Sequence, residues 1–300
     1  MAQFDTVLRN KLSARGTIGL ITEDAPFKEE FSAVLDVQEA DEEYDNILSV
    51  PTISDTGVTV INETGIAMSV GATLIDPALT NPLVWARIST DLVTSSAVGS
   101  EMSEGLQVEL DAVKRATFTK VVKQATVGTG SSGQMKGAAM HIDPALYGNE
   151  INKSFSALQL ADLESISNDH FPAGRPQFFM TSSQGLPLVK ALIRSSNYSP
   201  SCMHVPQLRG VRPAWDGIPV LINNAIPVSS YGSPPIYGTS LYAFSVGWGQ
   251  GLCLLYTKGG VTLTKIIKPE EDQCRYRVSL TAALAVFGRG SIARISNFLI

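Results

Sequence analysis

One long stretch, from Ser100 to Gly137, limits the folds open to this chain, because it predicts a single amphipathic helix that ends at a glycine-rich loop. Residues suited to a buried stripe recur there at steps of four, three, four and four: Leu106, Leu110, Val113, Thr117 and Val121. This spacing is helical and favours one buried face. The glycine-rich run 128–133 cannot continue the helix. At ~1.5 Å per residue, a helix over 101–127 is roughly 40 Å long, so we expect a spine that other elements cross.

The polar residues of this predicted spine helix fit the same interpretation. Ser100 or Ser103 can cap its start, because a serine side chain can accept a hydrogen bond from a free backbone N–H there. Asp111 and Arg115 are spaced i,i+4, so we expect them to pair on the exposed face.

The composition indicates a protein that hides much of its surface. The 300 residues are 44% hydrophobic and 17% charged, and the mean hydropathy is +0.11. Charge is scarce for a soluble monomer, so we expect contacts with copies of the chain or with partners. The net charge of −5 argues against a general nucleic-acid binder. Residues 1–45 hold eleven acidic and four basic side chains, which makes this segment an acidic arm.

Neither the cysteines nor the apolar runs indicate secretion or membrane insertion. Cys202, Cys253 and Cys274 form no CxxC pair, so we expect reduced thiols packed as small hydrophobic side chains. The first fifteen residues contain charges and no apolar core, unlike a secretory signal. The longest apolar runs are short or interrupted, and none predicts a span of a bilayer.

Residues 57–72 predict a β-hairpin whose apolar side chains share one face. The turn is Asn62-Glu63-Thr64-Gly65, in which glycine permits a positive φ. The shared face consists of Val58, Val60, Ile66, Met68 and Val70. A two-stranded hairpin alone is marginal in water, so these five residues are our candidates for a subunit contact. We expect them to lie on the spine helix of a neighbouring copy.

The rest of the chain mixes helices and strands with much antiparallel pairing, which predicts the α+β class. Residues 3–13 could form a short helix or a frayed terminus. A capping box at 156–159 predicts a helix, and Ser182 or Ser183 is expected to cap the next one. The predicted strands are 83–88, 177–180, 218–222, 241–246, 251–256, 261–267 and 275–287.

Gly128-x-Gly130-x-x-Gly133 matches the dinucleotide-binding pattern letter for letter. That pattern works where it follows a strand and opens a helix. Here it follows a predicted helix, so the interpretation as a helix stop is favoured. Gln134 occupies the position where a phosphate-binding loop needs lysine.

The chain presents no recognisable reaction centre. His141, His170 and His204 are far apart, and none has a partner at metal-ligand spacing. No GxSxG, SxxK or HExxH motif is present. The basic group Arg175, Arg194, Arg209 and Arg212 is more typical of ion pairs between subunits, or of a solvated face, than of a nucleic-acid site. We therefore expect no enzyme, no cofactor and no metal.

The order of these parts resembles the major capsid proteins of tailed bacteriophages with the Hong Kong 97-type fold, over about residues 40–298. Five pieces carry the resemblance. The first two are the hairpin with the strand ending Arg87-Ile88-Ser89-Thr90-Asp91-Leu92-Val93-Thr94-Ser95-Ser96, and the glycine-rich exit of the helix, 123–137. The other three are Phe178-Phe179-Met180-Thr181-Ser182-Ser183 before a leucine-rich helix, Trp215-Asp216-Gly217-Ile218-Pro219-Val220, and the closing strands 261–267 and 275–287.

This resemblance implies the organisation of the fold. It comprises an N-terminal arm (1–50), an extended hairpin loop (51–84), a peripheral domain with the spine helix (85–177), an axial domain (178–254) and a return to the peripheral domain (255–300).

The implied function is a structural subunit of an icosahedral phage head, assembled in the host cytoplasm into pentamers and hexamers that enclose double-stranded DNA. The implied partners are copies of the chain, a separate scaffolding protein, a portal and a cement protein. Packaged DNA would be contacted non-specifically, and no membrane is involved.

Two departures from the family pattern concern covalent crosslinking. Some members join a lysine of the extended loop to a neighbour's asparagine, assisted by a glutamate. Residues 51–113 contain no lysine, and residues 273–300 contain no Asp or Glu. That chemistry is therefore not expected here. An encapsulin-type shell that encloses a cargo enzyme is the alternative, and a nucleotide-dependent oxidoreductase is a weaker one.

Overall fold

Two β-sheets and one long helix organise the described part of the chain. The computed structural model describes residues 30–40, 49–50, 60–61, 67–68, 81–95, 104–142, 144–171, 175–196, 201–208, 210–247, 251–257, 260–268, 273–287 and 291–300. Its α-helices are α1 (Glu30–Val34), α2 (Glu104–Val127), α3 (Pro144–Tyr147), α4 (Leu160–Asn168) and α5 (Leu186–Ser195).

The strands follow in chain order. They are β1 (Asp36–Ala40), β2 (Ser49–Val50), β3 (Val60–Ile61), β4 (Ala67–Met68), β5 (Asn81–Pro82), β6 (Ala86–Ser95), β7 (Glu150–Asn152), β8 (Phe178–Thr181), β9 (Cys202–His204), β10 (Val211–Trp215), β11 (Ile218–Ile222), β12 (Ser229–Tyr231), β13 (Ile236–Phe244), β14 (Leu252–Thr257), β15 (Thr262–Lys268), β16 (Gln273–Val286) and β17 (Ile292–Leu299).

The first sheet carries the spine helix. Its order is β1-β14-β16-β15, and β6 pairs with the other edge of β16. Alternate residues of β16 point to opposite faces of the sheet. Cys274, Tyr276 and Val278 are buried on the face that α2 covers, whereas Arg275 and Arg277 are partly exposed on the other. We call this second face, which points away from α2, the outer face.

The second sheet has the order β7-β17-β13-β8-β11-β10-β9, with β12 on the free end of β13. One face packs against α4 and α5 through a cluster that includes Leu163, Phe179, Val189 and Val220. The other face belongs to the cluster that also holds the spine helix. The second sheet therefore has a buried layer on each side.

Helix α1 lies where the two sheets meet. Phe31 is fully buried and contacts the edge of the Phe244 ring, with ring centroids 5.4 Å apart. Directly afterwards, β1 joins the first sheet in parallel with β14. This short segment is therefore bonded to both sheets and fixes one to the other.

The structure corrects several sequence expectations. The last strand does not return to the first sheet, because β17 pairs with β13 in the second. The capping box of α4 uses Gln159 and Asp162, since the helix starts four residues after Ser156. Asp111 pairs with Lys114 at 2.8 Å instead of Arg115. Cys202 is exposed, although Cys253 and Cys274 are buried as expected.

Some strand predictions were also too short or missing. Strand β6 continues to Ser95 because its polar residues alternate with Ile88 and Leu92, which face the helix side. Strands β9 and β10 were not predicted at all. The predicted helix over 3–13 lies outside the described residues.

Candidate assembly surfaces

The predicted stripe of the spine helix is turned toward the first sheet. Leu110, Val113 and Val121 are 2%, 8% and 2% exposed. Leu110 packs with Cys274 and Tyr276 of β16. Thr117 fits the same stripe because its hydroxyl donates to the carbonyl of Val113 at 2.9 Å. The side chain of Leu106 lies outside the described residues.

The opposite side of the spine helix is polar. Its exposed residues between 109 and 123 are Glu109, Asp111, Ala112, Arg115, Ala116, Thr119, Lys120 and Lys123. Lys120 also reaches the edge of β6, where it donates to the carbonyl of Ser89 at 2.9 Å. Within this described range, the helix offers no large apolar side chain to a neighbour's hairpin. The expectation that the hairpin lies on this helix therefore gains no support.

The predicted hairpin is present in its described pairs. Strands β3 and β4 are antiparallel, with Val60 opposite Met68 and Ile61 opposite Ala67. Directly opposed residues share a face of a hairpin, so this register places Val60 and Met68 together. Val58, Ile66 and Val70 lie outside the described residues.

The outer face of the first sheet has one covered half and one open half. At the covered half, Leu83 and Trp85 pack over Cys253, Leu255 and the small alanines of β16. At the other half, rows of directly paired residues cross strands β6, β16 and β15. One row is Asp91, Arg277 and Thr264; the next is Val93, Arg275 and Ile266. We call these two rows the open rows.

Asp91 is the electrostatic centre of the open rows. Arg277 donates to both of its carboxylate oxygens, from Nε at 2.8 Å and from a terminal nitrogen at 2.9 Å. The nearest nitrogen of Arg275 is 3.8 Å from the same carboxylate. The hydrogen bond from Arg277 is the main reason that the pKa of Asp91 is lowered, and this same bond raises the pKa of Arg277.

A second exposed apolar patch lies at the β12–β13 hairpin. Tyr231, Ile236 and Tyr237 are 67%, 40% and 50% exposed, and the Tyr231 ring stacks on Phe155 at 5.4 Å. Large exposed aromatic residues are enriched at protein interfaces. Sequence reasoning missed this patch, because it requires knowing that 229–231 returns against 236–238.

The glycine-rich loop closes the spine helix. Gly137 donates to the carbonyl of Gly128 at 2.9 Å, which turns the chain back on itself. A side chain at Gly128 would place its Cβ 2.3 Å from the Met135 carbonyl, so the close approach needs glycine. The loop follows a helix and leads to a four-residue 3-10 helix, Ala138–His141. It therefore lacks the strand–turn–helix setting of a dinucleotide site.

Two of the four basic residues singled out in the sequence, Arg175 and Arg212, form ion pairs within the subunit. Arg212 pairs with Glu30 at 2.6 Å, and Arg175 pairs with Asp216 at the mouth of a cavity of about 440 Å³. Both pairs lie within one subunit, and Arg175 keeps 54% of its side chain exposed, as the solvated-face alternative expects. Arg194 is exposed, and Arg209 lies outside the described residues.

The histidines are not brought together. His141 is buried, and this burial, followed by the charge of Lys136, lowers its pKa to about 3. His170 bonds to the carbonyl of Gly148, and His204 lines the cavity beside Arg175. In the described parts of the chain, no group of three His, Cys, Asp or Glu residues could hold a metal ion. None of the described helices is both long and apolar enough to cross a membrane.

Comparison with known proteins finds similar structures but no similar sequence. No family profile and no curated protein matches the chain. The holo-SrpI encapsulin complex from Synechococcus elongatus PCC 7942 matches with a TM-score of 0.65 at 15% identity, over 98% of this chain and 95% of that one. The capsid of an empty GTA particle matches with a TM-score of 0.57 at 9% identity, over 88% of both chains. The satellite phage P4 procapsid, which includes the size determination protein Sid, matches with a TM-score of 0.53 at 9% identity. This match covers 99% of this chain and 96% of that one.

At sequence identities this low, the structural similarity establishes the fold alone. The match covers 88% to 99% of this chain, so it includes the long helix and both sheets. The chain has the Hong Kong 97-type fold shared by these capsid and encapsulin structures.

Proposed function

We propose that the chain is the structural subunit of an icosahedral bacteriophage head, which self-assembles into pentamers and hexamers around double-stranded DNA. The observation that carries the proposal is the shared architecture over 88% to 99% of the chain with subunits of a GTA capsid and of a phage procapsid. The scarcity of charge, 17% of residues, and the exposed aromatic side chains support a subunit with extensive self-contacts.

The proposal assigns roles to the parts of the chain. Residues 1–50 are the arm, 51–84 the extended loop, 85–177 the peripheral domain and 178–254 the axial domain. Because β17 pairs with β13, we assign 291–300 to the axial domain and keep 255–287 in the peripheral domain. A separate scaffolding protein, a portal and a cement protein are the expected partners.

The hairpin is the proposed contact between subunits. Its candidates are Val58, Val60, Ile66, Met68 and Val70. Met68→Asp should leave the subunit folded by circular dichroism yet block assembly, because it places a charge on a face that a neighbour covers. Ala161→Asp is the matched control, since it adds the same charge at an exposed position in the first turn of α4. Normal assembly of Met68→Asp, or loss of its fold, would contradict this assignment.

An encapsulin-type shell is the second candidate, favoured by the TM-score of 0.65 against an encapsulin. The contents of purified particles separate the two functions. Particles should be treated with nuclease and then opened, and their nucleic acid and protein measured. Protected double-stranded DNA in particles from the native source supports a phage head. Particles that hold a stoichiometric second protein and no DNA support an encapsulin.

A further inference from the structure

We propose that the cavity of about 440 Å³ beside β9 and β11 binds the chain's own residues Pro26 and Phe27, with the Phe27 ring as the anchor. Both residues precede helix α1 and lie outside the described residues. This contact fixes the point at which residues 1–25 leave the subunit. It concerns the fold of one subunit, so it does not depend on the proposed function.

The cavity has the size and the lining of a site for apolar side chains. Its apolar wall consists of Pro176, Phe178, Met203, Ile218 and Pro219. Cavities of about 300–1,000 Å³ with mostly apolar walls are typical binding sites. The charged residues at the mouth, Arg175 and Asp216, pair with each other, so together they contribute no net charge. An uncharged, apolar occupant therefore fits this cavity.

Helix α1 begins beside the cavity. Its first residue, Glu30, pairs with Arg212 of β10 at 2.6 Å. Met203 lies directly opposite Arg212 in the pairing of β9 with β10, so these two side chains share one face of the sheet. Met203 also lines the cavity. The ion pair of Glu30 therefore holds the start of α1 next to the cavity wall.

Aromatic contacts give a second connection between α1 and the cavity. The Phe31 ring contacts the edge of the Phe244 ring, and Phe244 stacks on Phe178, with ring centroids 5.4 and 5.6 Å apart. Phe178 lines the cavity, and all three rings belong to one hydrophobic cluster. The cavity wall and α1 are therefore parts of the same packed layer.

Phe27 is within reach of the cavity. It precedes Glu30 by three residues, which span at most about 10 Å. Four of the seven residues 23–29 are charged, and Phe27 is the one large apolar side chain among them. A phenylalanine buries about 150–250 Å² in an apolar site, which strongly favours burial over exposure to water. The cavity supplies such a site at the distance that the chain allows.

Cysteine crosslinking in the full-length chain tests this contact. In a Cys202→Ser background, Phe27→Cys and Met203→Cys together should form a disulfide under mild oxidation, because the contact brings the two positions within bonding distance. The product should run as a single chain on a non-reducing gel, and peptide mapping should identify the 27–203 bond. Phe27→Cys with the natural Cys202 is the matched control. Cys202 is adjacent on β9 but faces the other side of the strand, so it should crosslink roughly tenfold less.

A double-mutant cycle measures the same contact without a crosslink. Phe27→Ala should lower the melting temperature of the subunit by about 5 °C, because a buried ring is lost. In the presence of Met203→Asp, this loss should fall below about half, since the carboxylate in the cavity wall already excludes the ring. Phe4→Ala removes the same side chain far from Glu30 and should leave the melting temperature unchanged.

Four results would overturn the proposal. They are the absence of a 27–203 disulfide, equal crosslinking of position 27 to Cys202, a disulfide-linked dimer, which would place a second copy's segment in the cavity, and the same loss from Phe27→Ala with and without Met203→Asp. All four are measured on the subunit itself. The absence of closed particles from the unmodified chain would contradict the proposed function instead.

Discussion

One carboxylate oxygen of Glu30 forms an ion pair with Arg212 at 2.6 Å, and the other accepts a hydrogen bond from the backbone N–H of Ile222 at 2.8 Å. Glu30 opens helix α1, whereas Arg212 and Ile222 belong to strands β10 and β11 of the second sheet. Six residues after Glu30, the chain joins the first sheet through β1. This carboxylate therefore fixes the segment that connects the two sheets.

Glu30→Gln should destabilise the subunit. The amide can still accept a hydrogen bond from the backbone N–H of Ile222, but Arg212 loses its ion pair with Glu30, which is only 5% exposed. Because the Arg212 side chain keeps 20% exposure, water replaces part of the lost interaction, and we expect a loss of about 1–3 kcal/mol in the free energy of unfolding. Denaturant titration measures this loss. Glu109→Gln, on the exposed side of α2, is the control; equal effects of the two changes would contradict the assignment.

His141 should make the subunit less stable in mild acid. The unfolded chain binds a proton at this histidine near pH 6.5, whereas burial lowers the pKa in the folded chain to about 3. Acidification between these values therefore favours the unfolded chain, by roughly 2 kcal/mol at pH 5. His141→Leu should have a smaller slope of unfolding free energy against pH in this window. Identical slopes for both proteins would show that His141 does not carry this effect.

Leu110→Ala should lower the stability by roughly 2–5 kcal/mol, because it opens a cavity against β16. Leu110 is 2% exposed and packs with Cys274 and Tyr276. Thermal unfolding measures the loss, and Thr119→Ala on the exposed side of the helix is the control. An unchanged melting temperature for Leu110→Ala would be inconsistent with a buried role of the stripe.

Assembled particles should not be crosslinked by lysine–asparagine bonds. Residues 51–113 contain no lysine, and residues 273–300 contain no Asp or Glu that could assist the reaction. Particles boiled in denaturant should run on a gel as single chains near 32.1 kDa. A ladder of covalent multimers would refute this prediction.

The spine helix could be predicted from the sequence because its signal is local. The spacing from Leu110 to Val121 repeats at helical steps, and Gly128 stops the helix, so the predicted end matches Val127. The α+β class and the Hong Kong 97-type fold were also predicted, and the fold comparison confirms both.

Long-range pairing could not be predicted in the same way. Strand β17 has no period-two alternation, so the sequence predicted no strand there, and only tertiary contacts set it beside β13. The parallel pairing of β1 with β14 joins residues more than two hundred positions apart. The open rows were missed for the same reason: alternation in β6 and β16 signals an exposed face, but only the register sets Val93, Arg275 and Ile266 side by side.

Sedimentation velocity of the purified full-length chain tests the central claim, self-assembly into a closed shell, most directly. The proposal predicts a narrow, fast-sedimenting species built from many copies of the 32.1 kDa chain, in equilibrium with pentamers and hexamers. A single species at the mass of one chain, unchanged at high protein concentration, would contradict it.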